Sequence, residues 1–180
     1  MGEKMKKLVP TTSFNMPRLL AITLPAFIGL GLVLAGCDYV AEKEMQVGVA
    51  TQEEVISRMG NPTQVWQESD GGKVLEMSRQ PEGTQTFQVK ISPDGKYQGM
   101  KNVLVDAVFE QVKPGMTTEQ VRRLVGPPAN RVQLKLKNEL VASYRFAPGP
   151  GRTEMFDVYY DPEGKVIKTG RSPDPRNNQN

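Results

Sequence analysis

The chain has 180 residues, with 23 Lys and Arg against 20 Asp and Glu, one cysteine and no histidine. Four basic residues and one acidic residue lie before Cys37, so the rest of the chain holds 19 of each sign. A neutral domain gives no electrostatic reason to expect nucleic acid as a partner. Without histidine the commonest general base and metal ligand is missing, and no Gly-rich phosphate loop or Gly-x-Ser-x-Gly element occurs. The sequence therefore predicts a protein that is not an enzyme and uses no cofactor or metal.

An apolar run from Leu19 to Leu34 lies near the start of the chain and leads into Leu-Ala-Gly-Cys37. The run is shorter than the ~20 residues of a membrane-spanning helix and follows a basic residue, as in a secretion signal. Its last four residues resemble the lipobox of bacterial lipoproteins, which implies that Cys37 is lipidated and becomes the mature N-terminus. We expect residues 1–36 to form a lipoprotein-type signal peptide and residues 37–47 a lipid-anchored tether. The start codon is open between Met1, Met5 and Met16.

The stretch from Lys113 to Pro128 carries the start and stop signals of one short helix. Thr117 is the predicted N-cap, and Gln120 would complete a capping box with it. An apolar stripe at helical spacing follows, formed by Val121, Leu124 and Val125. Gly126 is expected to end the helix in the left-handed conformation, and Pro128 cannot continue it.

The same signals occur earlier in the chain, in the same order and with the same spacing. Thr51 would cap that helix, Val55 takes the place of Val121, and Gly60 and Pro62 would end it. Arg79 keeps this alignment against Arg145, whereas Phe87 and Val89 match Phe156 and Val158 only after a shift of three positions. The second copy is therefore expected to carry three extra residues near Gly149–Gly151. A period this long indicates a duplicated small domain.

Alternating segments typical of antiparallel strands follow each predicted helix. Turns are expected at Ser69–Gly72 and Ser92–Gly95 in the first copy, and at Asn138–Glu139 and Asp161–Gly164 in the second. The predicted fold class is α+β, with two tandem repeats that each pack two short helices on a three- to four-stranded antiparallel sheet. The repeats are expected at residues 48–101 and 102–170, and residues 171–180 are expected to form a disordered tail.

Three groups of side chains are candidates for binding. Carboxylates at Asp157, Asp161 and Glu163 could hold a hard cation, but a solvated strand face followed by a turn is the better interpretation. A basic stripe could contact anionic lipid head groups or simply be an exposed strand face, and it consists of Arg131, Lys135 and Lys137. Five aromatic residues could anchor a partner, although packing in the sheets is favoured for most, namely Trp66, Tyr144, Phe146, Tyr159 and Tyr160.

One motif resembles a known family. Val112-Lys-Pro-Gly115-Met-Thr117-Thr-Glu-Gln-Val121, followed by Gly126, Pro128 and the late segment Tyr160–Gly164, resembles the BamE family, also called SmpA/OmlA. The resemblance implies two helices on a three-stranded antiparallel sheet. It also implies a non-catalytic accessory of outer-membrane barrel assembly that binds partner lipoproteins and phosphatidylglycerol. This chain departs from the family in holding two copies, and in having Val49-Ala50 where the second copy has Gly115-Met116.

A second resemblance gives an alternative function. Tandem helix-and-sheet repeats also look like those of secreted β-lactamase-inhibitor proteins, which bind an enzyme across a concave sheet surface. The chain is therefore either an accessory or scaffold of envelope assembly or an enzyme-binding, inhibitory module of the periplasm.

Two cues disagree over the membrane that holds the anchor. In enteric bacteria, aspartate directly after the lipidated cysteine retains lipoproteins in the inner membrane, and Asp38 occupies that position. The BamE resemblance implies the outer membrane instead. In either case the domain is expected to face the periplasm, because nothing after Cys37 is apolar enough to span a membrane again.

Overall fold

The structure, a computed structural model, describes residues 45–178. These residues belong to one compact unit of the chain. The predictions for the signal peptide, Cys37 and Asp38 lie outside the described residues.

Two four-stranded antiparallel meanders form the fold, each with its strands in chain order. The first unit consists of α1 (Gln52–Met59), β1 (Gln64–Gln67), β2 (Lys73–Ser78), β3 (Thr86–Ile91) and β4 (Tyr97–Asn102). The second consists of α2 (Asp106–Phe109), α3 (Thr118–Val125), β5 (Asn130–Leu134), β6 (Glu139–Gly149), β7 (Arg152–Tyr160) and β8 (Val166–Pro173). A short 3₁₀ helix, Pro175–Asn178, ends the described chain. The predicted α+β fold of two tandem helix-and-sheet units is confirmed.

Capping boxes start both of the longer helices, α1 and α3. Thr51 Oγ1 accepts from the Glu54 N–H at 3.2 Å while the Glu54 carboxylate accepts from the Thr51 N–H at 2.7 Å. Thr117 and Gln120 make the same pair of bonds at 3.1 and 2.8 Å. Each box satisfies N–H groups that a helix start leaves without partners, so local hydrogen bonding determines where both helices begin.

Each unit has its own apolar core beneath its helix. Val55 and Val121 are fully buried and hold the same place in the two cores. The second core is richer in aromatic rings, since Phe109 stacks on Phe156 at 4.1 Å and meets Phe146 edge-on at 4.9 Å. Burial raises the pKa of the Tyr144 hydroxyl, and the neighbouring Tyr160 hydroxyl raises it further.

The strand register corrects the alignment of the two units. Val89 pairs with Leu75, and its counterpart Val158 pairs with Ala142. Ala142 therefore corresponds to Leu75, and counting along the strand from there makes Arg145 the counterpart of Ser78 rather than of Arg79. Matching the two arginines by identity was wrong, because a one-residue slip places every side chain on the opposite face of the sheet.

The extra residues of the second unit lie in two places. Six residues separate the paired Gln133 and Leu140, against five between Gln67 and Lys73 in the first unit. The other two extra residues lie in the longer β6–β7 connection. The prediction that all three lie near Gly149–Gly151 was therefore only partly right. Both sheets also shift register at equivalent points, after Lys90 and after Tyr159.

Three local predictions were wrong. β5 ends at Leu134 and its turn is Lys135–Asn138, because Asn138 adopts a positive φ of 52° that asparagine tolerates. Gly126 has φ 81° and ψ −161°, an extended conformation open essentially to glycine alone rather than the left-handed helical one. The tail, predicted to be disordered, is instead ordered as far as the end of the 3₁₀ helix, because buried Asp174 binds Arg145.

Candidate interaction surfaces

The motif residues of the two helices serve the fold rather than a binding site. Thr51 and Thr117 are caps, and Val55 and Val121 are buried in the cores. Gly60 and Gly126 end the helices with their N–H groups bonded to the last turn, and Pro62 and Pro128 follow them half-buried. Any ligand site must be formed by other side chains.

Gly115 has a structural equivalent in the first unit, Gly48, which the sequence alignment did not identify. Its N–H donates to the Val166 carbonyl at 2.8 Å, and the Gly48 N–H donates to the Tyr97 carbonyl at 2.7 Å. Both glycines have positive φ, 87° and 77°. Gly48 therefore takes the role that the alignment gave to Val49, and the first unit keeps this part of the motif one residue earlier.

Helix α3 lies between the two sheets. Val121 and Val125 face the core of its own unit. Its other side contacts the face of the first sheet that points away from the first core. We call that face, with Trp66, Glu76, Thr86 and Gln88, the interunit face. The second unit thus covers a surface that the first unit alone would expose.

A buried carboxylate is central to the interunit face. Glu76 is fully buried, and its Oε1 accepts from Arg122 Nη2 at 3.0 Å and from Thr63 Oγ1 at 2.7 Å. Its Oε2 is buried and has no hydrogen-bond partner in the structure. Buried charges are normally paired and hydrogen-bonded, so the ion pair with Arg122 offsets part of the free-energy cost of burying this carboxylate.

Three more contacts hold α3 on this face. The Arg123 guanidinium lies 5.4 Å from the centre of the Trp66 ring and binds Glu68 at 2.6 Å. Gln88 Nε2 donates to the Arg123 carbonyl at 2.7 Å, near the C-terminal end of the helix. These bonds fix the position of α3 across the first sheet.

A second contact between the units involves the end of the chain. Arg145 Nε donates to Asp174 at 2.7 Å, and its guanidinium also donates to the Pro81 carbonyl of the first unit. In the opposite direction, Gln80 Nε2 of the first unit donates to the Arg145 carbonyl at 2.7 Å. Burial raises the pKa of Asp174, but bonds from Arg145 and from the Arg176 backbone outweigh it and lower the pKa to about 2.

The interunit residues other than Trp66 were missed at the sequence level, although one signal was available. Glu76 is a charged residue inside the apolar segment Val74–Met77, and such a residue indicates a face that meets a specific partner group. The partner could not be named, because Arg122 lies far along the chain in another unit.

The candidate cation ligands are not brought together. Asp157 is buried, and its two oxygens accept from Ser143 Oγ at 2.5 Å and Ser172 Oγ at 2.7 Å. The interpretation of Asp157 as part of a solvated face was wrong. Asp161 accepts from the Lys165 N–H within its turn. Within residues 45–178 no group of three or more possible metal ligands occurs.

The basic stripe becomes part of a hairpin tip. Lys135 and Lys137 lie in the turn between β5 and β6 and are exposed, and Leu136 between them is fully exposed. Arg131 lies further down β5, also exposed. We call residues 135–138 the β5–β6 tip. An exposed leucine between two lysines distinguishes it from the other turns of the fold.

Two open clefts meet at one arginine. A cleft of about 420 Å³ lies between the start of β7 and the chain end, and one of about 250 Å³ lies beside α2. Arg171 lines both, but it binds Asp106 at 2.5 Å and lies 3.6 Å from Glu154. Its charge is thus already compensated.

Of the five aromatic candidates, three are core residues, namely Tyr144, Phe146 and Tyr160. Trp66 lies in the interunit face, and the Tyr159 ring lies 4.6 Å from the Lys168 ammonium. Across the described part of the chain, no helix has the length and apolar character to cross a membrane.

Known proteins give a limited similarity. No family profile matches the chain. Over 74 residues, 41% of its length, the chain is 30% identical to a protein of Escherichia coli K12 named as an osmotically inducible lipoprotein, OsmE, and to its counterpart in E. coli O157:H7. The matched part spans 66% of OsmE, slightly under two thirds of that protein.

Two solved structures are also similar. A crystal structure described as osmotically inducible lipoprotein OsmE shares 27% identity with the chain, covers 37% of it and 68% of OsmE, and has a TM-score of 0.34. YjgB of Bacillus subtilis, a DUF4309 family protein, shares 11% identity over 77% of the chain and 94% of its own length, with a TM-score of 0.28. Both TM-scores are below 0.5, so neither structure establishes a shared fold.

Proposed function

We propose that the protein is a lipid-anchored, periplasm-facing lipoprotein that acts without catalysis as an accessory or scaffold in outer-membrane protein assembly or envelope integrity. The observation that carries the proposal is the lipobox ending at Cys37, placed directly ahead of a domain built twice from the same capped helix and sheet. The similarity to OsmE, a BamE-like lipoprotein, supports the same class. On this proposal the chain holds two tandem BamE-like repeats.

The buried carboxylates support a role without catalysis. Glu76 is paired with Arg122, Asp157 is held by two serines, and Asp174 is paired with Arg145. Through these bonds, each carboxylate holds strands, units or the chain end together. A catalytic pair would need carboxylates that face an open site with different proton affinities, and these three face structural partners instead.

Crosslinking in intact cells followed by purification from solubilised membranes tests the proposal. An affinity tag at the C-terminus keeps Cys37 free for lipidation. We expect subunits of the barrel-assembly machinery to be recovered with the wild-type protein, and to be lost or reduced with Cys37→Ser because that variant has no acyl anchor.

The other outcome is equally specific. Recovery of one soluble periplasmic hydrolase, with the same yield from wild type and Cys37→Ser, would contradict the assembly role. It would favour the enzyme-binding or inhibitory function instead, and inhibition of the purified hydrolase would then be measured directly.

A further inference from the structure

We propose that the β5–β6 tip makes a second contact with the membrane, in which Leu136 enters the interfacial layer of the bilayer and Lys135 and Lys137 bind anionic head groups. This inference rests on the proposed lipid anchor, which keeps the domain close to a membrane. It assigns the contact to one turn of the second unit.

The backbone presents the leucine outward. β5 ends at Leu134, and the turn is closed by bonds from the Lys137 N–H to the Leu134 carbonyl at 3.1 Å and from the Asn138 N–H to the Lys135 carbonyl at 3.3 Å. This geometry leaves Leu136 at the apex with its side chain fully exposed. One exposed leucine is not unusual by itself, but moving its side chain from water into an apolar layer is favourable, and the groups beside it determine which layer fits.

The charge around the tip identifies that partner. From Asn130 to Asn138 the chain has three basic residues and no acidic one, and the half-buried Glu139 follows at the start of β6. No ion pair joins Lys135 or Lys137 to another residue of the described part. Free lysines beside an apolar side chain suit the boundary between anionic head groups and acyl chains. A single leucine on a narrow turn is too small for a protein interface, which needs a broad packed surface.

The equivalent hairpin of the first unit lacks these features. Its turn contains Ser69 and Asp70, and the Asp70 carboxylate accepts from the Gly72 N–H at 2.8 Å. The preceding Glu68 is bound to Arg123. The turn has no apolar side chain and carries negative charge, so it provides a matched control on the same fold.

Tryptophan scanning in vesicles tests the tip directly. The acylated full-length protein is reconstituted into vesicles that contain lipids brominated in their acyl chains, with and without an anionic lipid. Leu136→Trp is compared with Ser69→Trp, and the wild-type protein supplies the background of Trp66. Flotation of all variants with the vesicles reports the anchor separately from the tip.

Bromine quenching of Leu136→Trp is expected to be stronger in anionic than in zwitterionic vesicles, because two contributing lysines would shift the insertion equilibrium of the tip by roughly 30-fold. Quenching should fall toward the zwitterionic level when Lys135 and Lys137 are both changed to Gln in the Leu136→Trp protein. If Leu136→Trp floats with the vesicles but is quenched no more than Ser69→Trp, the tip does not enter the bilayer. Equal quenching in both kinds of vesicle would overturn the role of the lysines. Failure to float would contradict the proposed anchor instead.

Discussion

Gly126 of the second unit lies directly against Thr86 of the first. A Cβ placed on Gly126 would fall 2.6 Å from Thr86 Cγ2, a separation that requires one of the two groups to move. Thr86 is fully buried at the start of β3, so its methyl group has little room. The glycine is therefore needed for helix termination and for the close approach of the two units.

A comparison of Gly126→Ala with Gly60→Ala separates the cost of the helix-ending conformation from the cost of the contact with Thr86. Both glycines have positive φ with ψ near 180°, and alanine there costs about 1–3 kcal/mol. Only Gly126 also meets a neighbour, since nothing lies within 4 Å of a Cβ at Gly60. We expect Gly126→Ala to lower the free energy of unfolding by more than Gly60→Ala, as measured in urea. Thr86→Ser, which removes the methyl group, should recover part of the loss only in the Gly126→Ala background.

Arg122→Met tests the buried pair with Glu76. The variant would leave a fully buried carboxylate with Thr63 as its remaining partner. The cost is on the order of 2 to 3 kcal/mol, below that of a fully buried pair because the Arg122 side chain is 33% exposed. Glu76→Gln removes the charge, and the double variant should therefore be more stable than Arg122→Met alone. Urea unfolding of all four proteins gives the coupling energy. Strictly additive effects would show that the pair is not coupled.

The Arg145–Asp174 pair predicts a defined acid sensitivity. Because the folded state holds the pKa of Asp174 at about 2, below its ordinary 3.8, the pair contributes stability above pH 4 that is lost as the pH falls through 2. The shift corresponds to about 2 kcal/mol. Between pH 4.5 and 2, the wild-type protein should lose up to that much more unfolding free energy than Asp174→Asn. Parallel pH profiles for the two proteins would refute the assignment.

Val55→Ala and Val121→Ala test whether the units unfold together. Each removes two methyl groups from a fully buried site, at a cost of about 2 kcal/mol. Because α3 packs on both sheets, we expect each variant to shift one single calorimetric transition of the whole domain. Two resolved transitions, with only one shifted by each variant, would show that the units are independent.

Asp38→Ser tests the membrane that holds the anchor. We propose the outer membrane, so the native protein and the variant should both sediment with it when cell envelopes are fractionated. Cys37→Ser should appear as a soluble form or an uncleaved precursor. A native protein in the inner membrane that moves outward on Asp38→Ser would contradict direct work in the outer-membrane assembly complex and support inner-membrane retention.

The sequence predicted the helices well because their signals are local. The capping boxes at Thr51 and Thr117 act within the first turn of each helix, so propensity and hydrogen bonding identify them without knowledge of the fold. Period-two alternation likewise located most strands. The turn at Lys135–Asn138 was misplaced because alternation continues through Leu136 although the ladder of hydrogen bonds ends at Leu134.

The surfaces were not predictable because they depend on contacts across the units. Nothing near Glu76 in the chain points to Arg122, and nothing near Arg145 points to Asp174. The composition of residues 171–180 indicates disorder, but one buried ion pair outweighs composition for Asp174. Such contacts follow from the arrangement of the sheets, which the sequence pattern left open.

The matching register shifts of the two sheets bear on how the two units arose. Register shifts after Lys90 and after Tyr159 lie at equivalent points of the two sheets, each just ahead of a turn, Ser92–Gly95 and Asp161–Gly164. Duplication of one ancestral unit that already had this irregularity would account for both shifts.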